Sequence, residues 1–250
     1  MNELIKIERD GPVAILTLNN PPHNLLTTQF LSEYCEALEQ APADGARAIL
    51  VKSDLRHFCA GADVEKLSED AIDAEQILNR LESVPIPIVA ALNGAVLGGG
   101  FEIALAADLL VAADSAEIGS VEVNLGLAPL LGAVQRLTAR IGPARAKEIT
   151  MLGRRYAPEL LERWGVINLV VGEKELFSAG LSLAKQLGAG PTVAIGSIKK
   201  IANITVDQGV KEADRTAGDL LSPVWNSQDL KRGREAMQKT GPGTAAFEGN

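Results

Sequence analysis

The stretch IPIVAALNGAVLGGGFEIALAADLLVAA, residues 86–113, decides the fold. Pro85 and Pro87 bias the residues before them toward extended backbone, so Ile88 to Leu92 reads as a strand. Five apolar residues in a row, with no alternation, suit a short, fully buried strand. Asn93-Gly94 turns the chain, Gly98-Gly99-Gly100 opens an apolar helix over Phe101 to Ala107, and Leu109 to Ala113 reads as a second buried strand. Strand, glycine-rich loop, helix and strand in succession indicate an α/β core.

Working outward, the same grammar repeats. Leu4, Ile5 and Ile7, then Asp10-Gly11, then Val13, Ile15, Leu16 and Leu18 predict a hairpin that Pro21-Pro22 ends. Apolar residues at helical spacing predict a helix over Thr27 to Gln40 with Thr27 or Thr28 as its cap. Ala48 to Val51 reads as a buried strand, and a second helix is expected from Asp70 to Ser83. Past Leu131 the pattern is mostly helical, with Pro143 and Pro158 near helix starts, a brief strand over Ile167 to Val171, and two longer helices after Lys174 and Pro191. Short strands at wide spacing favour a coiled stack of ββα turns over a doubly wound sheet, although periodicity alone leaves that choice open. Thr240 to Thr244 has the composition of a flexible tail.

Composition narrows the function. With 250 residues, 46% of them hydrophobic, the chain can bury a substantial core. No run approaches the roughly 18 apolar residues a membrane span needs. The opening lacks the apolar centre of a secretory signal, which makes the cytoplasm the expected location. A net charge of −8 argues against a broad nucleic-acid footprint, and an anionic ligand calls for a local cationic patch. Cys35 and Cys59 suit buried thiols rather than a disulfide framework, and His23 and His57 lack partners at metal-ligand spacing, so no metal is expected.

Several residues carry possible chemistry. Gly98-Gly99-Gly100 lets a backbone N–H approach a ligand at a helix start, where the positive potential suits an oxygen gaining charge. Taken alone, a close-packing turn is the first reading of those glycines, and the same holds for Ala60-Gly61-Ala62-Asp63. Glu102 is the carboxylate that stands out, because nearly every neighbour is apolar and its charge is costly unless paired or used. Glu122 alone reads as a surface residue, and only pairing with Glu102 raises its standing: two carboxyl groups around one water can divide acid and base work. Ser115 and Ser120 lack a His-Asp arrangement and receive no chemistry.

In their order, these blocks resemble the enoyl-CoA hydratase/isomerase, or crotonase, family. Phe58-Cys59-Ala60-Gly61-Ala62-Asp63-Val64 is similar to the family's oxyanion loop, and Ile86 to Asn93-Gly94 running on to Gly98-Gly99-Gly100 is similar to its second block. Ala107-Asp108-Leu109 through Gly119-Ser120-Val121-Glu122 forms the third, and Leu125-Gly126-Leu127-Ala128-Pro129 to Gln135-Arg136-Leu137 the fourth. Two departures stand out. Val121 occupies a position where proline is frequent, and Leu130, Leu131, Ala133 and Val134 fill a segment that is usually glycine-rich, changes expected to reshape the acyl pocket.

The resemblance implies a crotonase-like spiral of ββα turns over residues 1–190 and a helical C-terminal region over 191–250 that builds a homotrimer or a dimer of trimers. It implies an enoyl-CoA hydratase, a hydro-lyase that adds water to a 2-enoyl-CoA thioester, with Glu102 and Glu122 catalytic and the Ala62 and Gly99 N–H groups as oxyanion donors. Ala60, Ala62, Asp63, Val64 and Gly99 would line the coenzyme A site, with Arg56 and Lys66 as candidate cations for its phosphates. No tightly bound cofactor is implied, since coenzyme A is part of the substrate. The runner-up is a double-bond isomerase, with decarboxylase or dehydratase chemistry on the same scaffold below it. An alternative of another class is an acyl-CoA binder without turnover; nucleic-acid and membrane partners are the least supported.

Overall fold

The computed structural model describes residues 3–69 and 73–250. The hairpin forms as β1 (Ile5–Asp10) and β2 (Val13–Leu18), paired antiparallel from Ile5 against Leu18 to Asp10 against Val13. Helix α1 (Thr28–Ala43) follows, capped by the Thr27 hydroxyl, which accepts from the Phe30 N–H at 3.1 Å. It buries Phe30, Leu31, Tyr34 and Leu38 against the sheet. Strand β3 (Ala48–Ser53) lies parallel to β2. Short helix α2 (Val64–Glu69) and α3 (Ala74–Ser83) come next, and the Asp73 carboxylate caps α3 by accepting from the Gln76 N–H. The expected start of that helix at Asp70 lies outside the described residues.

The 86–113 stretch folds as it reads, with one shift. It forms β4 (Ile88–Leu92), β5 (Ala95–Leu97), α4 (Gly99–Leu105) and β6 (Leu109–Ala113). The helix starts two residues earlier than expected, because glycine backbone itself makes its first turn. Then come β7 (Glu117–Gly119), a 3-10 turn over Glu122–Leu125, α5 (Ala133–Leu152), α6 (Pro158–Trp164) and β8 (Leu169–Val171). Helix α5 breaks at Gly142, where φ is +78°, and restarts at Pro143.

The sheet order β1-β2-β3-β4-β6-β8 is parallel from β2 onward, and β5 pairs with β7 in a second, smaller layer. Isolated parallel pairing of Cys59 with Val96 adds a rung to that layer. Each turn of chain thus places one long strand in the main sheet and one short strand in the second before a helix follows. This is the ββα spiral, and it stacks the loops after Cys59, β5 and β7 at one edge.

Helix α7 (Leu176–Gly188) covers β3, β4 and β6, and α8 (Thr192–Gln208), α9 (Val210–Asn226) and α10 (Gln228–Lys239) complete the helical C-terminal region. Asp108 ties α8 to the core: its carboxylate accepts from the Ile88 N–H at 2.7 Å and from Lys199 Nζ at 2.8 Å. Beyond the Thr240 to Thr244 stretch the chain is fastened back to the body of the protein. Arg47 donates to the Phe247 carbonyl, and the buried Asp229 carboxylate accepts from the Glu248 and Gly249 N–H groups, charge-assisted bonds that hold these last residues.

Close approach of α4 to the second layer rests on Gly100. A methyl group there would stand 2.3 Å from the Cys59 carbonyl oxygen and 2.7 Å from its sulfur. Gly100→Ala is expected to destabilise the fold by about 3 kcal/mol despite better helix propensity, since backbone cannot move aside cheaply. Denaturant midpoints of the two proteins measure this directly.

Candidate active site

The loop after β3 is held on both sides. Cys59 pairs with β5 through Cys59 N to Ala95 O (3.2 Å) and Leu97 N to Cys59 O (3.1 Å). On the other side Leu26 donates to Gly61 O at 3.0 Å and accepts from Asp63 N at 2.9 Å. That parallel ladder uses the groups flanking Ala62 and leaves the Ala62 N–H without an acceptor among the described residues.

Gly98 sits at φ +51°, ψ −125°, a conformation that requires glycine. Its N–H donates to Gly119 O, while the Phe101 and Glu102 N–H groups turn back to its carbonyl. The Gly99 N–H, first in α4, has no acceptor among the described residues. The two free donors are neighbours: a methyl group on Gly99 would lie 3.6 Å from the Ala62 Cβ.

Both expected glutamates border this spot. Glu102 is 3% exposed, and its Oε1 accepts from the Leu131 N–H at 2.8 Å and the Ala133 N–H at 3.1 Å. Burial pushes its pKa from 4.5 up to about 7; the Ala133 N–H opposes that rise, and the nearby Glu122 charge adds to it. Glu122 begins the 3-10 turn after β7. Its Oε2 accepts from the Ser120 hydroxyl at 2.6 Å, and its Oε1 is buried without a partner among the described residues. A methyl group on Gly98 would meet that oxygen at 3.5 Å. An unpartnered buried carboxylate oxygen is costly unless a ligand or water completes it.

The enoyl-CoA hydratase/isomerase family description matches residues 8–245. The chain belongs to that family. A carnitinyl-CoA dehydratase of Salmonella arizonae is 35% identical over 246 residues, covering 93% of this chain and 94% of that protein. Among solved structures, enoyl-CoA hydratase subunit I of Geobacillus kaustophilus superposes with a TM-score of 0.91 at 34% identity, covering 99% and 98% of the two chains. The enoyl-CoA hydratase of Mycobacterium tuberculosis H37Rv gives 0.91 at 26% identity over the whole of both chains.

As a crotonase, the chain shows where its departures fall. Leu131 and Ala133, two of the departing residues, hold Glu102 by their N–H groups, while Leu130 beside them is exposed. Of the residues expected along coenzyme A, Ala60, Ala62 and Asp63 are half-buried and Val64 is exposed. Lys66 is paired with Asp63 at 3.3 Å, and Arg56 lies on the surface. Sequence reasoning missed Ser120, which acts on Glu122 rather than as a nucleophile. Its spacing of two residues before a carboxylate was the available signal. His57 has a structural task, its Nδ1 accepting from the Ala95 N–H at 3.0 Å. Among the described residues no three His, Cys, Asp or Glu side chains gather as a metal site, and no helix is long and apolar enough to cross a membrane.

Proposed function

We propose that this protein hydrates 2-enoyl-CoA thioesters to 3-hydroxyacyl-CoA, and that Glu102 and Glu122 are its catalytic pair. The observation that carries the reading is the unpartnered Glu122 Oε1 beside Gly98, the residue that precedes the free Gly99 N–H, within electrostatic reach of Glu102. The thioester oxygen accepts from those two N–H groups. Glu102 takes a proton from water, the water oxygen bonds to C3, and the C2=C3 electron pair moves through C1 to the thioester oxygen as an enolate. The proton taken from water then passes by way of Glu122 to C2, the enolate collapses, and one molecule of water has been added with both carboxyl groups back in their starting states. A pKa of about 7 suits Glu102 to such work near neutral pH. The coenzyme A contacts follow the resemblance: backbone of Ala60 to Val64 and Gly99.

Dehydration of a 3-hydroxyacyl thioester is the same path reversed, so carnitinyl-CoA is the second substrate to weigh. A quaternary ammonium group favours aromatic faces or carboxylates. The exposed large side chains that follow Glu122 in sequence are instead Val123, Leu125, Leu127 and Leu130, which favours an apolar acyl group. Exposed Ile198, Val206, Val210 and Trp225 on α8 and α9 support the trimer that the resemblance implies.

The test is a panel of crotonyl-CoA, longer 2-enoyl and 3-enoyl thioesters, and carnitinyl-CoA. Loss of conjugated absorbance with a water-mass gain on 2-enoyl substrates is expected. Conversion of 3-enoyl substrates alone, without that mass gain, reassigns the protein to isomerase, and dehydration of carnitinyl-CoA alone reassigns it to the relative's reaction.

A further inference from the structure

Asn24 is the one non-glycine residue with positive φ among those described, at +54°, and it is fully buried. Asparagine tolerates that conformation better than other side chains. Its Nδ2 lies 2.9 Å from Phe58 O, 3.1 Å from His57 O and 2.8 Å from Ser53 Oγ, so two hydrogens serve three acceptors on β3 and the loop after it. Its Oδ1 accepts from the Asn20 N–H at 2.7 Å, and its carbonyl accepts from the Cys59 thiol at 2.9 Å. On either side, His23 O accepts from the Ala60 N–H, and Leu26 forms the ladder around Ala62. The Leu26 side chain also abuts the second donor: a methyl group on Gly99 would meet Leu26 Cδ1 at 2.9 Å. Segment 24–26 therefore touches both residues whose N–H groups are free.

We propose that Asn24 is a positioning residue that, by pinning the 57–62 loop to the 24–26 segment, sets the spacing of the Ala62 and Gly99 N–H groups. This rests on the oxyanion role given to those groups above. Cys59 and β5 fix the far side of the loop; on the near side backbone bonds of His23 and Leu26 hold residues 60 to 63, and the Asn24 amide holds His57 and Phe58 just before them. Losing that amide frees the Phe58 carbonyl, leaves the His57 carbonyl to the Ser53 hydroxyl alone, and lets Ala62 shift relative to Gly99, and a misplacement near 1 Å can cost on the order of 100-fold in rate.

Asn24→Gly is the sharper test, since glycine keeps the positive φ and removes only the side chain. Leu26→Val leaves the Asn24 bonds and withdraws the contact to Gly99. Three readouts separate positioning from general packing: kcat on crotonyl-CoA, affinity for the saturated butyryl-CoA, and the near-ultraviolet band of acetoacetyl-CoA bound as its enolate. For Asn24→Gly the expectation is roughly 100-fold lower kcat and an enolate band weakened about tenfold, with butyryl-CoA affinity within about threefold of the unsubstituted protein. Leu26→Val is expected to lose about five- to tenfold in kcat with the same pattern.

A folded Asn24→Gly that keeps turnover and band overturns the proposal. So does a parallel loss of butyryl-CoA and acetoacetyl-CoA binding, which marks a packing role alone. If Asn24→Gly does not melt cooperatively, Leu26→Val decides on the same readouts. An unsubstituted protein that raises the enolate band but hydrates no enoyl thioester rejects the hydratase reading, and the band then judges the positioning role in the variants. One that binds acetoacetyl-CoA without the band rejects both.

Discussion

Glu102→Gln is expected to fold, to lose about 10²- to 10⁴-fold in the hydration of an enoyl-CoA, and to be more stable than the unsubstituted protein above pH 7. The fold survives because a glutamine oxygen can still accept from the Leu131 and Ala133 N–H groups that hold Glu102 Oε1. The rate falls because an amide cannot take a proton from water. The stability gain follows from burial. The Glu102 pKa is about 7 in the folded chain against an ordinary 4.5, so the folded state binds this proton more tightly than the unfolded state does. Its stabilising contribution is complete below about pH 4.5 and is lost as pH rises through about 7. Above that window, ionised Glu102 costs up to ~3 kcal/mol that a neutral glutamine does not. Denaturant titrations at pH 5 and pH 8 should show the two proteins converging at the acid end and separating at the basic end. In the unsubstituted protein, kcat/KM should rise through an acid limb near pH 7, since the base works ionised. A Glu102→Gln protein with full turnover, or no such limb, removes Glu102 from the mechanism.

Glu102 was legible in the sequence because Phe101, Ile103, Ala104 and Leu105 around it are apolar, and burial followed. Glu122 was not, taken alone. Its neighbours Val121, Val123 and Asn124 give no hint of burial, and what sinks its Oε1 is the pairing of β7 with β5, which brings Gly119 against Gly98. That contact spans distant sequence, and only the family resemblance supplied it in advance. Strands β3, β4 and β6 were readable from their unbroken apolar runs, and β1 and β2 from the hairpin pattern around Asp10-Gly11. The second layer was not, since β5 and β7 are three residues each and carry no period to detect. Asn24 shows the same limit: it sits in a polar turn after Pro21-Pro22, and its bonds to Ser53, His57 and Phe58 exist only once the β3 loop has folded back.

Glu122→Gln is expected to lose hydration by a similar 10²- to 10⁴-fold, but the two variants should part in a second assay. Ser120 fixes one Glu122 oxygen at 2.6 Å and leaves the other facing the site, so a glutamine there keeps one anchor and presents an N–H or carbonyl where a carboxylate stood. If Glu122 delivers the proton to C2, it must by reversal also remove a proton from C2 of a saturated thioester held by the two N–H donors. Butyryl-CoA in deuterated water should then exchange its C2 hydrogens with the unsubstituted protein and with Glu102→Gln, and not with Glu122→Gln. Mass spectrometry of the recovered thioester reads the result. Exchange lost in Glu102→Gln and kept in Glu122→Gln would reverse the two roles, while exchange kept in both would place C2 protonation on another group. The same pair of variants separates hydration from isomerisation, because moving a double bond needs a proton carrier at carbon but no activated water. A Glu102→Gln protein that still converts 3-enoyl to 2-enoyl thioesters, while failing to hydrate the product, assigns water activation to Glu102 and carbon protonation to Glu122.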